Sequence, residues 1–110
     1  MWLFTTIGFF SVVADASHPD TLKIRARARE DLAALRARHL PDIEIIETAH
    51  TDYRFRALVH RDDWLHAAEA LARDIDYPNF KSAVAERQGP ERAARYGRVW
   101  QTMRGLQAGA

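Results

Sequence analysis

The sequence predicts an α+β protein built on a four-stranded, mainly antiparallel sheet, and three observations carry that expectation. Residues 22–28 (Leu-Lys-Ile-Arg-Ala-Arg-Ala) and 53–60 (Tyr-Arg-Phe-Arg-Ala-Leu-Val-His) repeat with period two, the mark of a half-buried strand. The segments that follow each of them carry helix formers with apolar residues at three- and four-residue spacing. Clusters of Asp, Ser, Thr, His and Pro separate the periodic stretches. At 110 residues the chain can bury one core without disulfide or metal staples. The expected order is strand-strand-helix-strand-strand-helix, a ββαββα arrangement of the ferredoxin-like class, followed by two further helices. It divides one domain, 1–110, into a ββαββα unit (1–76), C-terminal helices packing on it (77–106) and a frayed tail (107–110).

Each element has its own warrant. Residues 1–13 are apolar and rich in Phe, Val, Ile, Thr and Trp, which suits one buried strand, apolar on both faces and central in the sheet. Ala14-Asp15-Ala16 mimics a cleavage site, but no Lys or Arg precedes the apolar run, which is also too short to span a bilayer. The reading is therefore a cytoplasmic protein with no membrane partner. Residues 15–20 are turn chemistry and imply a hairpin into the 22–28 strand. Residues 29–38 form a helix with acids at its start and bases at its end, and Pro41 ends it. A short strand at 43–47 and a turn at 48–51 lead into the 53–60 strand. Asp62 or Asp63 caps the next helix, which carries Trp64, Ala68, Leu71 and Ile75 on one stripe. Asn79 caps a short helix, Gly89 stops it, and Pro90 opens a last helix that aligns Ala93, Tyr96, Trp100 and Met103 as core.

The alternating strands decide where chemistry is expected. On one face lie Leu22, Ile24, Ala26, Ala28, Tyr53, Phe55, Ala57 and Val59; on the other lie Lys23, Arg25, Arg27, Arg54, Arg56 and His60. Of 16 basic residues 14 are Arg, whose planar fork suits phosphate or carboxylate. The first strand would present among these bases either Trp2, Phe4 and Phe10, which supply stacking rings, or Leu3, Ile7 and Phe9. Aromatic rings between Arg residues on an open sheet are how several modules hold single-stranded nucleic acid. A net charge of only +1 argues against a bulk polyanion binder, so the basic character must come from distribution.

Other constellations are weaker. Asp74, Asp76, Tyr77, Asn79 and Lys81 bring carboxylates, a phenol, an amide and an amine into eight residues. Their spacing matches no calcium loop, and helix-end roles, with Ile75 and Phe80 anchored in the core, explain them. His60 with His66 does not supply the i, i+4 pair of a zinc helix. With no Cys, no serine elbow and only five dispersed glycines, thiol chemistry, a phosphate loop and a dinucleotide fingerprint are excluded. No cofactor or metal is expected.

Three segments look alike to one group of proteins: Met1-Trp2-Leu3-Phe4-Thr5-Thr6-Ile7-Gly8-Phe9-Phe10-Ser11-Val12, Asp74-Ile75-Asp76-Tyr77-Pro78-Asn79-Phe80-Lys81 and Arg95-Tyr96-Gly97-Arg98-Val99-Trp100. Together they resemble an uncharacterised family of short bacterial proteins. The resemblance implies a stand-alone bacterial protein and no activity, cofactor, partner or site.

The functional expectation is a homodimeric binding or regulatory module rather than an enzyme. Its Arg-rich face would take single-stranded nucleic acid or a small acidic ligand. The alternatives are a homodimeric protein-interaction module whose Arg and aromatic face is itself the dimer or partner interface, and a small cofactor-free enzyme with its cleft near His60 and Asp76.

Overall fold

The computed structural model describes residues 1–107; of the expected frayed tail, 108–110 lie outside the described residues. The sheet has five strands, not four: β1 (Trp2–Phe4), β2 (Phe9–Ala14), β3 (Thr21–Ala26), β4 (Ile46–Glu47) and β5 (Phe55–His60). They lie in the order β1-β2-β3-β5-β4 with every neighbouring pair antiparallel, an order that does not establish the ferredoxin-like arrangement. Helices α1 (Arg29–Arg38), α2 (Arg61–Arg73), α3 (Phe80–Gln88) and α4 (Pro90–Met103) follow the strands as expected, and a 3₁₀ turn (Arg104–Leu106) includes Gly105. Two compact units divide the chain, 1–76 and 77–110.

The extra strand comes from the N-terminal apolar run, which is a hairpin rather than one central strand. Thr5 makes the turn. Its hydroxyl accepts from the N–H groups of Ile7 and Gly8 at 3.1 and 3.0 Å and donates to the Gly8 carbonyl at 2.7 Å, while Thr5 N–H donates to the same carbonyl. β1 therefore lies at the edge, and β3 takes the centre. Gly8 is required by a close approach, because a Cβ there would stand 2.6 Å from both Cβ and Cγ of Asp31. Asp31, buried in the first turn of α1, accepts from Phe9 N–H at 3.0 Å and fastens the hairpin to the helix.

One face of the sheet carries the core. Phe10, Val12, Leu22, Ile24, Ala26, Phe55, Ala57 and Val59 pack against Leu32 and Leu35 of α1 and Trp64 and Ala67 of α2. α2 begins at Arg61, and its cap lies two or three residues earlier than the expected Asp62 or Asp63, because His60 is the cap: its Nδ1 accepts from Asp62 N–H at 3.1 Å. The two acids then fall in the first turn, where the helix dipole favours them. Ala68 and Leu71 pack against the core, but Ile75, beyond the helix end, is exposed.

The second unit is a helical hairpin. Asn79 Oδ1 accepts from Ser82 N–H at 2.8 Å to cap α3, and Gly89, at a φ of 97° open to glycine, turns the chain into Pro90 at the start of α4. Phe80 stacks on Tyr96 at 5.9 Å, and Val84 and Ala93 are buried. Trp100 and Met103 are not core: they are 64% and 54% exposed, so the expected apolar stripe ends at Tyr96.

Candidate functional site

The face of the sheet turned away from α1 and α2 is set by register. One row crosses all five strands: Trp2 beside Ser11, Ser11 beside Arg25, Arg25 beside Arg56, and Arg56 beside Ile46. The flanking rows are Phe4 beside Phe9, and Val13 beside Lys23 beside Leu58. These rows contain no carboxylate.

Arg25 and Arg56 sit directly opposite each other on neighbouring strands. Arg61 N–H donates to Asp20 O at 2.7 Å, which fixes the phase of the β3–β5 ladder and makes Arg25 and Arg56 a non-hydrogen-bonded pair, the closer kind. Like charges in that position are unfavourable. Arg25 Nη2 donates to Ser11 Oγ at 2.7 Å, and Arg56 Nη2 donates to the Tyr53 carbonyl at 3.3 Å. Neither makes an ion pair among the described residues, and the Nε of each is buried without an acceptor. An unmet donor on a charged group is costly.

Rings border the pair. Phe9 stacks on Phe4 at 4.5 Å and meets Trp2 edge-on at 6.0 Å, and Trp2 is 67% exposed. Phe10 does not belong to this set. It is fully buried on the core face, because the Thr5 turn shifts the alternation by one hairpin, and Phe9 takes its place.

Tyr53 also departs from its expected face. Its ring lies 4.5 Å from the guanidiniums of both Arg25 and Arg27 and 6.5 Å from Phe9, on the open side. Strand alternation starts only at Phe55, since residues 51–54 are bends: the Thr51 hydroxyl donates to the carbonyls of Thr48 and Tyr53. The turn residues before Tyr53 were the signal for this.

The six basic residues therefore separate. Lys23, Arg25 and Arg56 share the face. Arg27 lies past the end of β3, against Tyr53 and paired with Asp52 at 3.1 Å. Arg54 is paired with Glu47 at 3.6 Å, and the imidazole of His60 is engaged in the α2 cap.

A second feature lies at the sheet edge. A cleft of about 270 Å³ is lined by residues of 39–43, by Leu58, Val59 and His60, and by Asp63 and His66; Asp76 is not part of it. His39 Nε2 is engaged with Asp74 at 3.0 Å. Among the described residues no group of three His, Asp or Glu side chains could hold a metal ion, and no helix is long and apolar enough to cross a membrane.

No protein family, curated protein or solved structure matches this chain.

Proposed function

We propose that the protein is a binding module whose open sheet face takes an anionic ligand bearing flat rings, with single-stranded nucleic acid the ligand class that uses both features. The observation that carries it is the opposed, ion-pair-free Arg25 and Arg56 in a row that begins at exposed Trp2. Phosphate on the two forks would offset their repulsion, Lys23 would extend the cationic track, and a base would stack on Trp2. A cytoplasmic, non-enzymatic role in a bacterium, where such ligands are abundant, belongs to the same proposal.

Exposed Trp2, Leu58 and Ile46 favour a second reading, a homodimer through this face. A two-fold, face-to-face dimer would bring the Arg pair toward its own copy, which weighs against it.

Fluorescence anisotropy of mixed single-stranded RNA and DNA oligonucleotides at 50 and 200 mM salt tests the proposal, with light scattering on the same samples. Three phosphate contacts at about −0.7 each weaken binding roughly twentyfold across that range. Loss of binding in Arg25→Ala with Arg56→Ala, with the fold intact by circular dichroism, supports the reading. No binding at low salt from a monomer overturns it. A dimer that Arg25→Glu with Arg56→Glu converts to monomer favours the second reading.

A further inference from the structure

We propose that the sheet edge beside Leu58 is a docking lane for an extended basic peptide, which adds there as a strand. The backbone phase shows why. Arg61 N–H reaches Asp20 O on the β3 side, and Thr48 N–H reaches Arg54 O at 2.7 Å on the β4 side. Val59 and Ala57 therefore turn their backbone groups toward β3, and Arg54, Arg56, Leu58 and His60 turn theirs outward. β4 is only two residues long and covers Arg56 but not Leu58. No backbone hydrogen bond reaches Leu58 from its outer side among the described residues.

Sheet edges are usually blocked, because free N–H and C=O groups template another strand. This one instead opens into the 270 Å³ cleft, room for about two residues, with Leu40 and Ile43 on one wall and Asp63 and His66 of α2 on another. A guest continuing the lane that β4 leaves at Ile46 would exchange two hydrogen bonds with Leu58 and accept one from His60 N–H. Its alternate side chains would face the Leu40–Ile43 wall and exposed Leu58.

The charge of the cleft selects the guest. Asp42 and Asp63 have no ion-pair partner among the described residues, whereas the imidazole of His60 caps α2 and that of His39 holds Asp74. The uncompensated charge is negative, which favours Lys or Arg in the peptide. The lane borders the Arg face at Leu58, which stands beside Lys23, but its backbone pairing does not use the Arg25–Arg56 pair or a ligand bound there.

The test uses the full chain and the capped peptide acetyl-Val-Lys-Val-Lys-amide in a ¹H–¹⁵N NMR titration. The Leu58 and His60 amides should shift and exchange more slowly, and the Val-Glu-Val-Glu counterpart should bind more weakly. N-methylation separates a strand from any other contact. Methylating either positions one and three or positions two and four should weaken binding about tenfold or more, while the other isomer binds unchanged. Leu58→Pro removes the outward N–H without touching the β3 ladder and should abolish the shifts in a folded protein. The proposal fails if both methylated isomers bind alike or if the shifts lie elsewhere. It also fails if the chain is a dimer that Leu58→Pro makes monomeric, since a second copy then fills the lane.

Discussion

Gly8→Ala tests how the N-terminal hairpin is attached, and with it how the rings of Trp2, Phe4 and Phe9 reach the open face. The added methyl would stand 2.6 Å from Asp31 Cβ and Cγ, closer than real Cβ contacts allow, and a tight 3.0 Å from its Oδ2. Either the hairpin or α1 must move. Overpacking of this kind costs about 1–3 kcal/mol. Moving Asp31 also strains its hydrogen bond from Phe9 N–H, and loss of a bond to a charged group adds about 1.5–3 kcal/mol. A total of roughly 3–5 kcal/mol would remove a large part of the 5–15 kcal/mol that holds a typical domain. Urea unfolding, followed by circular dichroism and by fluorescence of buried Trp64, reads the change. Gly105→Ala is the control, because nothing lies within 4 Å of its added Cβ. Asp31→Gly removes both clashing atoms, so Gly8→Ala in that background should cost little, a coupling of about 2 kcal/mol or more. A Gly8→Ala midpoint within about 0.5 kcal/mol of wild type would refute the reasoning.

Three further outcomes follow from the same structure. Tyr53→Leu should destabilise by about 1–3 kcal/mol in urea by removing the ring held between two guanidiniums, while Tyr53→Phe stays near wild type; equal effects would contradict that packing. Trp64→Ala should cost about 3–5 kcal/mol, whereas Trp100→Ala, largely exposed, should stay within about 0.5 kcal/mol, a contrast that thermal unfolding shows directly. The Asp15 carboxyl is held below its ordinary 3.8, first by the hydrogen bond from His18 and then by Ser17 N–H. Its native pKa is depressed, so its stabilisation is present above the unfolded value and lost as pH falls through the native one. Carboxyl-carbon NMR should place the Asp15 midpoint below 3.8, and Asp15→Asn should flatten this part of the acid limb; a midpoint at or above 3.8 contradicts the contact.

Local pattern was legible from the sequence where one residue acts on its own neighbours. The alternation of Leu22, Ile24 and Ala26 with Lys23 and Arg25 is in the strand as it was in the sequence, because period two needs only one wet and one dry face. The Asn79 cap, the turn at Gly89 and Pro90 as first helical residue are likewise short-range chemistry. The hairpin hidden in residues 1–13 was not read, although Thr5 and Gly8 interrupt the run. Gly8 matters because of Asp31, which is distant in sequence, and no window along the chain contains both.

The candidate site shows the same division. That Arg25 and Arg56 belong to basic-faced strands was visible in composition and spacing. That they stand opposite each other, with Ser11 and Trp2 in line, is a matter of register between strands. Phe9 and Phe10 are chemically identical, and only the turn before them assigns one to the open face and the other to core. Sequence determined the period and punctuation of this protein, since those arise from backbone sterics and local hydrogen bonds. Tertiary structure alone decided which faces meet, which charges oppose and which strand edge stays open, because these depend on contacts between segments that sequence order keeps apart.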